Sequence, residues 1–78
     1  MVAGVPRPAP TVFVVVVTHA LDRTTKIEGI CGTLDRACEK AVEVAELCGV
    51  TTTVEWMRQM RTLTTTKFIF SITEEELL

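Results

Sequence analysis

The run Val12-Phe13-Val14-Val15-Val16-Val17 constrains this chain more than any other stretch. β-Branched side chains lose rotamer freedom in a helix and suit a pleated strand, so Thr11 to His19 is predicted to be extended. In a strand, Phe13, Val15, Val17 and His19 project to one side and Val12, Val14, Val16 and Thr18 to the other. Both sets are apolar for most of their length, so the strand requires cover on both faces. A chain of 78 residues supplies one domain. Such a chain buries only about 60% of the surface its unfolded form exposes. Part of the cover is therefore expected from outside the chain.

Residues 1–10 contain Pro6, Pro8 and Pro10, which lack backbone donors, and are expected to form a flexible arm ahead of a single α+β domain at 11–78. Residues 20–25 are polar enough for a hairpin connection, followed by a strand from Lys26 to Cys31. Gly29 within that strand marks a bulge or a close backbone approach. Thr33 to Cys48 carries a helical pattern: Thr33 is a good N-cap and Asp35 sits in the first turn. Leu34, Ala37, Cys38, Ala41, Val42, Ala45 and Cys48 form the apolar stripe, and Gly49 is placed to end the helix.

Beyond the helix, Val54, Trp56 and Met60 alternate with Glu55, Met57, Gln59 and Arg61, which predicts a third strand. Residues 62–66 are expected to be a loop, although they lack Gly, Asn and Pro. Lys67 to Thr73 alternates as a last strand. Thr73-Glu74-Glu75-Glu76 has capping-box spacing for a short terminal helical turn, with a frayed tail as the alternative. The predicted order is ββαββ: a four-stranded, mostly antiparallel sheet with one amphipathic helix packed on one face.

Val14–Val17 followed by Thr18-His19, then Ile27-Glu28-Gly29-Ile30-Cys31-Gly32-Thr33, then Ala37, Ala41 and Ala45, form a recognisable succession. It resembles small uncharacterised domains of bacteria and their phages, in which a Val-rich strand ends in Thr-His. In those domains Ile-x-Gly-Ile/Val-x-x-Ser/Thr and an Ala-rich helix come next. The resemblance covers about half the chain, and Cys31 departs from the bulkier residue expected there. It implies a fold and a phage or bacterial origin, and carries no catalytic residue.

Eight Lys and Arg against ten Asp and Glu, net −2, exclude a polyanion binder working by bulk attraction. Arg58 and Arg61 beside Trp56 form the one basic-aromatic cluster, a thin basis for single-stranded nucleic acid. His19 is the one histidine, so a site with two imidazoles is excluded. A nucleophilic pair of Cys31 with His19 is conceivable if their strands are neighbours, but no oriented base or oxyanion site accompanies it. Cys31, Cys38 and Cys48 lack the close spacing of zinc ligands, so no metal or cofactor is expected. Gly29 to Gly32 lacks the lysine and remaining glycines of a phosphate loop.

The odd number of thiols argues against a disulfide scaffold, and no segment approaches a membrane span; both features point to the cytoplasm, a host's if the chain is phage-encoded. The function expected is a non-catalytic interaction module that pairs with itself or binds another protein. Its interface is predicted at Val12, Val14, Val16, Met57 and Ile69, the apolar residues left on the face opposite the helix. The alternative is a small-ligand-binding or enzymatic domain built on the His19 and Cys31 region.

Overall fold

The computed structural model describes residues 10–76, so the arm expected at 1–10 lies outside it apart from Pro10. The elements are β1 (Thr11–His19), β2 (Thr25–Cys31), α1 (Leu34–Leu47), α2 (Val54–Met60), β3 (Thr62–Thr64) and β4 (Phe68–Glu76). They build an α+β domain with a four-stranded antiparallel sheet in the order β2-β1-β4-β3. The Val-rich strand is interior, hydrogen-bonded to β2 on one side and β4 on the other, which places it where both its faces need apolar cover.

Alternation decides the layers. Val15, Val17, Phe70 and Ile72 face the helices and are buried, with Val15 opposite Ile72 and Val17 opposite Phe70. Ala37, Cys38, Ala41, Val44 and Ala45 of α1 and Met57 of α2 complete this core. Small side chains let α1 lie close to the sheet, leaving room for the Phe70 ring. The caps are as the sequence predicts: the Thr33 hydroxyl accepts from Arg36 N–H at 3.2 Å, and Gly49 follows the helix at φ 78°. A Cβ there would be strained.

The β1–β2 connection is pinned by Asp22, whose carboxylate accepts from Thr24 N–H at 3.0 Å and from the Thr24 hydroxyl at 2.7 Å. Those bonds, the backbone one first, hold the Asp22 carboxyl below its ordinary value. Arg23 takes the left-handed conformation that closes the turn, at φ 58°.

Three expectations in the second half are corrected. The segment 54–61 is not a strand: Val54–Met60 is a second helix, capped by the Thr53 hydroxyl, which accepts from Trp56 N–H at 3.1 Å. Its sequence after Val54 is free of β-branched residues and rich in Glu, Met, Arg and Gln, which favour helix. Arg61 ends it in the left-handed conformation at φ 59°. The chain then enters β3 at once, so Thr62–Thr64 is the third strand rather than a loop. The β3–β4 turn needs no glycine because Thr65 supplies the missing bonds. Its hydroxyl accepts from Phe68 N–H at 2.9 Å, and its N–H donates to Phe68 O at 2.7 Å.

Finally, Glu74–Glu76 is not a helical turn. These residues extend β4 opposite Phe13, Val12 and Thr11, because β1 offers that edge for pairing along its whole length.

Candidate interaction surface

Both helices pack on one side, and the described elements leave the other side of the sheet uncovered. Val12, Val14, Val16 and Thr18 of β1 lie there, opposite Glu75, Thr73, Ser71 and Ile69 of β4. Thr62 and Thr64 of β3 join them opposite Ser71 and Ile69. On the outer side of β1, Ile30 is opposite Val14 and Ile27 is opposite Val16. The face is thus divided: aliphatic over β2 and β1, hydroxyl-rich over β4 and β3, with Ile69 at the hydroxyl side's margin.

Ile27 and Ile30 are three residues apart, an interval that would put them on opposite faces of a regular strand. The register shifts between Val15 and Val16, whose partners are Gly29 and Ile27, so Glu28 is an extra residue. The bulge brings both isoleucines to the open face, where they are 61% and 66% exposed. Gly29, on the helix side, also meets the second condition expected of it: a Cβ there would lie 3.2 Å from Lys40 Cγ of α1.

Of the residues predicted for the interface, Val12, Val14, Val16 and Ile69 lie on this face, half-buried among their neighbours. Met57 does not. It is on α2 and wholly buried in the core, because a helical period turns it inward where a strand period would turn it outward. Alternation alone separates Ile27 from Ile30 and so omits them; Gly29 is the sequence signal for the bulge that unites them.

The chemical alternatives disperse. Cys31 is opposite Phe13 near one end of β1, while His19 closes the other end, six positions away. At about 3.3 Å per residue the two are separated by roughly 20 Å, too far for a nucleophile and its base. His19 instead packs edge-on against Phe68, ring centroids 4.9 Å apart. Among the described residues no three His, Cys, Asp or Glu side chains gather in a metal-binding group. The basic-aromatic cluster also separates. Arg58 pairs with Asp35 of α1 at 2.9 Å, Arg61 lies 5.9 Å above the Phe13 ring, and Trp56 Nε1–H donates to Thr62 O at 3.1 Å.

The thiols differ in environment. Cys38 is buried in the helix–sheet seam, and desolvation raises its thiol above the ordinary value. Cys48, on the same apolar stripe, is half-buried at the end of α1. It lines an open groove of about 320 Å³ with Gly49, Val50 and Phe68. A disulfide-exchange reagent is therefore expected to modify Cys31 and Cys48 in the native protein and Cys38 on unfolding. Modification of Cys38 at the rate of the other two would show that the seam opens.

Compared with known proteins, the chain matches no family model, no curated protein and no solved structure. Among the described residues no helix is long and apolar enough to cross a membrane.

Proposed function

We propose that this protein is a non-catalytic interaction module that associates through the open face of its sheet, with a second copy of itself as the partner. The supporting observation is the contiguity of Ile27, Ile30, Val14 and Val16 on two neighbouring strands. An apolar patch spread over adjacent strands marks an interface, whereas single exposed apolar residues are ordinary. Closed symmetric pairs are the commonest assemblies, and one copy's face covers the other's without a further partner. A protein of different sequence would use the same face, as a phage or bacterial accessory protein regulating a host protein would. An odd number of free thiols suits a reducing cytoplasm, where either role could be exercised.

Light scattering on a sizing column tests the proposal. Four strands about 4.8 Å apart, carrying side chains over about 20 Å of length, give a face of roughly 400 Å². That is below the ~800 Å² per partner of a standard interface, so the dimer is expected to dissociate on dilution. A mass of twice the chain that falls with dilution supports self-association. A concentration-independent monomer overturns it.

A further inference from the structure

β2 and β3 are the margins of the sheet, and they are guarded differently. Natural sheet edges discourage pairing with other chains through charge, proline or a bulge. β2 has the charges of Lys26 and Glu28 and the bulge at Glu28. β3, Thr62-Leu63-Thr64, has none of these. Two hydrogen bonds set the phase of its backbone. Ile72 N–H donates to Arg61 O at 2.8 Å, and Thr65 N–H donates to Phe68 O at 2.7 Å. Leu63, between them in the same alternation, turns its backbone groups toward β4, so Thr62 and Thr64 turn theirs outward. Trp56 Nε1–H reaches Thr62 O from that outer side, at 3.1 Å. Among the described residues the other outward groups, Thr62 N–H, Thr64 N–H and Thr64 O, meet no partner.

Side chains alternate as well. Thr62 and Thr64 are exposed on the open side, whereas Leu63, opposite Phe70, faces the helices. There it lines a groove of about 260 Å³ with Trp56, Thr51, Thr52 and Thr53, and no charged residue joins them.

We infer that the β3 edge takes an extended segment of a partner protein as a further, antiparallel strand, with one apolar side chain seated in this groove. The free backbone row selects an extended chain, because a strand presents donors and acceptors at the matching interval. Antiparallel pairing is the slightly stronger kind and the one used throughout this sheet. Alternation then assigns the side chains. The partner residue opposite Leu63 points to the helix side, into the groove, and its two neighbours lie beside Thr62 and Thr64. Those neighbours bond the outward groups, and the second lone pair of Thr62 O serves one of them while Trp56 keeps the first. An uncharged row and groove favour an apolar residue flanked by hydroxyl residues. The site stands whether or not the open face binds a second copy.

Trp56 is the chain's one tryptophan, so its emission reads the groove directly. A capped Lys-Thr-Thr-Leu-Thr-Thr-Lys peptide, titrated into the full-length chain, is expected to shift that emission saturably to the blue as the indole leaves water. Methylating the backbone nitrogens of the two threonines beside the leucine removes the bonding donors. Exchanging the leucine for glycine leaves the groove empty. Each change is expected to weaken binding about tenfold. Thr64→Pro removes an outward donor at a sheet margin, where proline is tolerated, and should weaken the parent peptide similarly with circular dichroism unchanged. The methylated peptide is tested on the wild-type chain, so the result does not depend on that variant folding. If Trp56 emission is unmoved at every soluble concentration, or if the methylated peptide binds as well as its parent, strand addition at β3 is overturned.

Discussion

Val15→Asp is expected to leave the chain unfolded, whereas Val14→Asp, one residue away, is expected to leave it folded and monomeric. Val15 is wholly buried opposite Ile72, beneath α1. An ionised carboxylate there finds no donor among Phe70, Ala41 and their neighbours, and it must either protonate or admit water. Either route costs several kcal/mol, comparable with the whole stability of a domain this small. Val14 sits on the open face, so in a monomer its replacement keeps the carboxylate hydrated and forfeits only strand preference, about 1 kcal/mol or less. In a dimer the same carboxylate would be buried unpaired at a cost of about 3–5 kcal/mol, enough to separate the copies. Circular dichroism with sedimentation distinguishes the variants. If Val14→Asp unfolds the chain as fully as Val15→Asp, the open face belongs to the monomer's own core. If it changes neither mass nor stability, that face is not an interface.

Met57→Ala should destabilise far more than Trp56→Ala, although tryptophan is the larger residue. Met57 is wholly buried where α2 meets α1 and the sheet, and its truncation leaves a cavity costing about 2–5 kcal/mol. A seven-residue helix has almost no stability of its own, so α2 depends on its packing, in which Met57 is its one wholly buried side chain. Trp56 is 46% exposed and contributes one hydrogen bond to Thr62 O, worth about 1 kcal/mol. Thermal unfolding reads the contrast: a drop of about 10 °C or more is expected for Met57→Ala and several degrees for Trp56→Ala. The reverse order would mean that α2 presents its other side to the core.

The same pair of residues shows where the sequence is legible and where it is not. β1 and α1 carry redundant local signals. An unbroken β-branched run identifies the first; the Thr33 cap, a stripe repeated over four turns and Gly49 identify the second. The segment 54–61 is only two turns long, and its apolar residues fit either period. Val54, Trp56 and Met60 recur at even intervals, while Val54 and Met57 recur at three; burial of Met57 selects the second. Propensity favours the helix, but alternation is the more visible pattern. Reading a strand there displaces the true third strand and puts Met57 on the wrong surface. Glu74–Glu76 misleads for a different reason: three glutamates have little local preference for a strand, and their conformation is imposed by pairing with Thr11–Phe13. The open face is half legible, since alternation alone locates Val12, Val14, Val16 and Ile69. Ile27 and Ile30 depend on a register that no single strand encodes.

That register gives β2 a spare residue. Removing one residue from inside a strand ordinarily turns over every side chain on one side of the cut. Glu28 is the exception here, because it has no partner on β1. Its loss would join Ile27 directly to Gly29 while Val16 keeps Ile27 and Val15 keeps Gly29. Ile27 and Ile30 would then be two apart in a regular strand and would still face the same way. The contacts forfeited would include the ion pair with Lys26 at 3.5 Å, in which the lysine is exposed and the glutamate half-buried. A strand interior is where a chain is least free to change its length, yet this one could shorten by a codon and keep its outward row of isoleucines.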